Sequence, residues 1–256
     1  MDVTSSWLQL FSLRPAADCD LPSGGATALV YATKMFLGHY AVGFAAKRVA
    51  PRTSLGTLFL SVQLADLLWP IFLLLGLEHV RIDPGNTVVT PLDFYDYPIT
   101  HSLVGALGWA VLLGLGYFIA RRYSRGAWVV AGCVFSHWIL DWITHGPDLL
   151  LMPGGTAHVG LGLWNSLWGT VLVEGSIFVA GAVLYWRFTS AQDRVGHYAF
   201  WSLVIILVAI YALNLSGPPP PSVRAIGIVG LAGWLFVPWG YWIDRHRRPV
   251  TEPAPK

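Results

Sequence analysis

The sequence predicts an all-α, polytopic membrane bundle of about seven transmembrane helices, and three observations carry that reading. Hydrophobic residues make up 55% of the 256 and charged residues only 12%, too apolar a balance for a domain surrounded by water. Seven apolar runs follow one another between residues 26 and 243, each near the length of about 20 residues that spans hydrocarbon. Thirteen Trp and ten Tyr supply rings that favour the bilayer interface.

Residues 1–25 contain Pro15, Pro22 and Gly24-Gly25 and are expected to form an irregular or surface-lying lead. They lack a basic segment followed by an apolar core, so no cleaved signal peptide is expected. The apolar runs cover 26–46, 55–77, 98–120, 127–146, 164–186, 197–215 and 224–243. The first carries His39, the second Asp66, the third opens on Thr100-His101-Ser102, and the fifth carries Glu174. The last two are ordinary spans joined by Ser216-Gly217 and the stiff Pro218 to Pro221 connector. The bundle is thus expected over 26–246, with a cytoplasmic tail at 247–256 and no internal repeat of the transporter kind.

Basic residues set the expected orientation. Lys47, Arg48, Arg52, Arg121, Arg122, Arg125, Arg187, Arg194, Arg245, Arg247, Arg248 and Lys256 place twelve of the sixteen Lys and Arg at one end of the bundle. The positive-inside rule puts that end in the cytoplasm, with the N-terminus outside. The second connection, with Glu78, Asp83, Asp93 and Asp96, is then external and acidic, as is the Gly-rich 147–163 loop. The net charge of +2 points to no partner beyond the bilayer, and no basic-aromatic patch suits nucleic acid. Cys19 and Cys133 are too far apart in sequence to suggest a disulfide framework or a thiolate site.

Chemistry concentrates in the fourth run, Ser136-His137-Trp138-Ile139-Leu140-Asp141-Trp142-Ile143-Thr144-His145-Gly146-Pro147. His137, Asp141 and His145 are spaced by four, so on a continuous helix they share one face. Two imidazoles and a carboxylate on one face form a surface for a divalent metal, zinc above manganese or iron. Gly146-Pro147 is expected to stop the helix just beyond them. A lone histidine inside a membrane is ordinarily a hydrogen-bonded packing residue. His39, Asp66, His101, His137 and Asp141 together are hard to attribute to five separate packing events, since each charge at that depth costs a few kcal/mol.

Several of these motifs resemble the bacterial membrane-bound metal-dependent hydrolases, the inner-membrane hydrolases associated with LexA. The resemblance rests on Gly38-His39 with Gly43, an Asp in the second span, Thr100-His101-Ser102, Ser136-His137-x3-Asp141 and Thr144-His145-Gly146, and covers roughly residues 35–150. This chain has Leu64-Ala65-Asp66 where that family has Pro-Asp-x-Asp, and Tyr95-Asp96-Tyr97 where it has His-Arg. More distantly the order of residues is similar to helical zinc phospholipase C and its single-strand nuclease relatives. That likeness implies His101, His137 and Asp141 as ligands of one zinc, His39 and Asp141 serving a second, and Asp66 as the base for the attacking water.

The expectation is therefore an integral protein of the bacterial inner membrane that hydrolyses an ester, phosphoester included, of a lipid or amphiphile. Its ligands are His39, His101, His137, Asp141 and His145, and its catalytic base is Asp66. Two other classes fit the same residues. One is an ion- or proton-coupled transporter, since intramembrane His, Asp and Glu also build relays. The other is a structural protein in which the metal serves only as a staple.

Overall fold

The computed structural model describes residues 37–250. Over that range the chain is a helical bundle, as its composition predicts. Five helices are long and apolar enough to cross a membrane, and a sixth span results if one bent pair is counted as a unit. The expected number of seven is not reached among the described residues. The first expected span, 26–46, lies partly outside them, and its described part is α1, Leu37–Val49. The 1–25 lead also lies outside them.

The second span is not one straight rod. It divides into α2 (Leu55–Val62) and α3 (Leu64–Leu74), bent by 56° at Gln63. Ser54 caps the start of α2 by accepting from the Thr57 N–H, and α3 continues through Pro70. Beyond α3 the acidic connection folds into a hairpin of β1 (His79–Ile82) and β2 (Leu92–Asp96). The third expected span begins as a separate short helix, α4 (Pro98–His101). Extended Ser102 then caps α5 (Leu103–Arg121) by accepting from the Gly105 N–H.

The fourth span is α6 (Ser124–Thr144), packed along α5. The Gly-rich connection that follows holds a short antiparallel ladder of β3 (Leu149–Leu150) and β4 (His158–Val159). Next come α7 (Leu167–Phe188), β5 (Thr189–Ala191) and α8 (Arg194–Ser216). The last span runs Val223–His246 as α9 (Val223–Gly230), a 3-10 stretch (Leu231–Leu235) and α10 (Phe236–His246). The first residues of the expected tail are ordered: Arg247–Pro249 form β6, paired antiparallel with β5. Arg247 is buried there, donating to Thr189 and lying over the rings of Tyr185 and Phe200.

The main core joins α1, α2, α7, α8 and α10 through Tyr40, Phe44, Phe59, Phe178, Tyr185 and Phe200. Glycine sets the closest approach. A Cβ on Gly181 of α7 would run into the carbonyl oxygen of Ala41 in α1, so only glycine lets these helices touch there. A second core gathers Trp69, Phe94, Tyr97, Leu149 and Trp164 beneath the hairpin and the Gly-rich connection. The polar side chains of the first four spans meet one another where α1, α3, α4 and α6 come together.

Candidate metal centre

His39 comes from α1, Asp66 from the first turn of α3, His101 from the end of α4, and His137 and Asp141 from α6. The bundle brings all five together. Nε2 of His39 lies 3.2 Å from Oδ1 of Asp141, and Nε2 of His137 lies 3.1 Å from its Oδ2. Nε2 of His101 is 3.8 Å from the same Oδ2 and 3.6 Å from Oδ1 of Asp66, which is 3.8 Å from His137 Nε2. Ligands about 2.0 Å from a tetrahedral zinc stand about 3.3 Å from one another, so these separations suit a shared ion. Two triads satisfy that geometry, His39/His137/Asp141 and Asp66/His101/His137, and His137 belongs to both.

Four of the five residues are 7% exposed or less. The ion pairs that Asp141 makes among the described residues are all with histidines. Two carboxylates in such a place demand compensation, by protonated imidazoles or by a cation. Both nitrogens of His39, Nε2 of His137 and Oδ2 of Asp141 are buried without a hydrogen bond of good geometry. A cavity of about 10 Å³ lies among His101, His137 and Asp141, the scale of a single small occupant.

Outer partners fix two of the rings. Nδ1 of His137 donates to the Val62 carbonyl oxygen at 2.7 Å, because a carbonyl can only accept. Val62 ends α2, so the bend in the second span frees that oxygen from a continuing helix ladder. His101 is held by a relay. Thr100 Oγ1 gives its one hydrogen to Glu78 Oε2 at 2.7 Å, leaving a lone pair for His101 Nδ1–H at 2.6 Å. In both neutral rings the proton sits on Nδ1 and the Nε2 lone pair faces the cluster, the tautomer a metal ligand requires.

Glu78, in the acidic second connection, has a role that the sequence reading did not assign to it. It is fully buried, and its Oε1 accepts from the N–H groups of Ile99 and Thr100. It thus caps α4 at the turn that presents His101, using the anion preference of a helix start. Nothing in its local sequence sets it apart from Asp83, Asp93 or Asp96. What places it there is its position one residue before β1, whose hairpin partner β2 leads into α4.

His145 departs from the expected ligand set. The α6 helix ends at Thr144, and His145 is already extended (φ −63°, ψ 153°), so the four-residue stagger from His137 and Asp141 stops short of it. Its Nδ1 lies 3.0 Å from Oδ1 of Asp148, its ring packs on Trp164, and it belongs to neither triad. Burial opposes its protonation, but the Asp148 carboxylate prevails and raises its pKa. Glu174, fully buried in α7, is also outside both triads.

Among protein-family models, the one described as YdjM inner membrane protein matches residues 31–217 of this chain. No curated protein and no solved structure matches.

Proposed function

The chain belongs to the YdjM inner membrane protein family, and we propose that it is a membrane-embedded, metal-dependent hydrolase acting on an ester of a lipid or amphiphile. The convergence of three imidazoles and two carboxylates from four parts of the chain on one buried point supports this reading most strongly. A divalent cation held there, zinc by the donor set, would supply Lewis acidity toward an ester oxygen and would acidify water. His39, His137 and Asp141, one of the two triads, would hold it, with His101, 3.8 Å from Oδ2 of Asp141, as a fourth ligand.

Asp66 has the other role. Its Oδ1 stands 3.6 and 3.8 Å from His101 and His137, outside the 3.1 and 3.2 Å contacts that Asp141 makes with His137 and His39, and its side chain is the most exposed of the five at 12%. It takes a proton from the attacking water and returns it to the departing alkoxide. The net change is ester plus water to acid plus alcohol.

The basic ends of α1, α5, α7 and α10, with the basic start of α8, are assigned to the cytoplasmic side. Two contacts support their lying together: Lys47 pairs with Asp244, and β5 pairs with β6. A reporter domain fused to the C-terminus should then read out as cytoplasmic; a periplasmic signal reverses the orientation.

Activity tests the hydrolase. Purified protein should cleave p-nitrophenyl acyl esters or bis(p-nitrophenyl) phosphate, lose that activity on chelation and regain it with zinc. Activity untouched by chelation and by Asp66→Asn would reject the assignment.

A further inference from the structure

We propose that the substrate carries a long acyl chain, and that this chain enters sideways from the bilayer into an apolar cavity ending on Asp66. The chemistry at the ester rests on the hydrolase reading above, whereas the occupant of the cavity is argued from the cavity itself.

A cavity of about 250 Å³ lies between α3, α8 and the last span. Leu67, Ile206, Ile210, Val229, Leu235 and Phe236 form most of its wall. The indole N–H of Trp239, also on the wall, is already committed to the Ala199 carbonyl. Polar side chains are contributed by Tyr40, Gln63 and Asp66; Gln63 is at the bend between α2 and α3 and Asp66 is in the first turn after it. The cavity is therefore greasy along its length and acidic where it meets the candidate metal centre. A soluble, charged substrate would lose its hydration along such walls without replacement. A hydrocarbon chain loses nothing.

Access follows from exposure. His39, His101, His137 and Asp141 are sealed, so the cluster is reached through Asp66. The wall on the side of the last span is built partly of small residues. Leu231–Leu235 is a 3-10 stretch inside the last span, and Ala232 and Gly233 line the cavity from it, with Gly230 just before it. Such a stretch within a helix often marks a hinge. Leu235 lines the cavity yet is 66% exposed on the side a bilayer would cover, and Ile205 beside Ile206 is 65% exposed. Hydrocarbon outside, a hydrocarbon-lined cavity inside and small residues in the wall between them favour lateral entry of an acyl chain, with its ester left at Asp66.

The full chain in phosphatidylglycerol vesicles doped with a phosphatidylglycerol bearing a mid-chain diazirine tests this. After irradiation, labelled residues are mapped by mass spectrometry. Surrounding lipid labels the outward-facing Ile205 and Val208 in any case. The proposal expects added label on Ile210 and Phe236, which are 5% and 8% exposed. That interior label should fall at least about fivefold in Ala232→Phe while the Ile205 and Val208 label stays constant. Ile206→Trp serves as a second filled variant should the first not fold. Label confined to Ile205, Val208 and Leu235, or interior label unaltered by filling, overturns the proposal. Metal content measured on the same samples separates the two readings. Interior label without metal keeps the lipid cavity and removes the hydrolase, and metal without interior label does the reverse.

Discussion

Nδ1 of His137 lies 2.7 Å from the carbonyl oxygen of Val62, at the point where the second span bends by 56°. One irregularity therefore does two jobs. It frees a backbone acceptor that fixes the tautomer of His137, and it starts α3 so that Asp66 stands in that helix's first turn facing the same imidazole. In a straight helix this carbonyl would be spent on its own ladder.

The Glu78–Thr100–His101 relay should govern metal affinity without governing the fold. Thr100→Val keeps the shape and removes the hydroxyl that accepts from His101 Nδ1. Partners of this kind are worth about 10- to 100-fold in metal affinity. Zinc competition against a chromogenic chelator should show a loss in that range, with far-ultraviolet circular dichroism unchanged. An unaltered affinity would mean that His101 is not a ligand.

Lys47 is buried at the opposite end of the bundle, with Nζ 2.7 Å from Asp244 Oδ2 and 2.9 Å from the Thr53 carbonyl. The same Asp244 oxygen accepts from the Leu55 N–H, tying α10 to the start of α2. Asp244→Asn leaves a buried cation without its counter-charge and should cost about 3 kcal/mol of stability. Paired replacement, Lys47→Met with Asp244→Leu, should cost clearly less. Thermal unfolding in detergent compares the variants.

Asp193 provides a dependence on pH. It caps α8 by accepting from the Gly196 N–H, and it pairs with His246, both of which hold its carboxyl below the ordinary 3.8. A carboxyl lowered in the folded state stabilises at pH values above 3.8 and loses that contribution as pH falls through the lowered value. The midpoint of Asp193→Asn should lie below that of wild type at pH 6, and the gap should close in strong acid. A gap that widens below pH 4 would contradict the sign.

Much of this site is legible in the sequence because its signal is local or chemically costly. His137 and Asp141 share a helix face by spacing alone. His39, Asp66 and His101 stand out because lipid-soluble runs rarely carry such side chains. What is not legible depends on where helices stop. A four-residue count carries His145 onto the ligand face, but α6 ends one residue earlier and turns it toward Asp148. Composition makes residues 55–77 a single span, yet Gln63 breaks them, and hydropathy is blind to that bend. Glu78 lies in a connection and Arg247 in the expected tail, and nothing local marks either as buried; each is buried by a partner distant in the chain, α4 for one and β5 for the other.

Elemental analysis of the purified protein tests the central claim most directly. The account predicts about one zinc-class ion per chain in wild type, because the single Nε2 shared by both triads can serve one ion. It predicts none in a folded His137→Ala/Asp141→Ala double variant. Wild-type protein free of metal, or a double variant that retains it, would contradict the account.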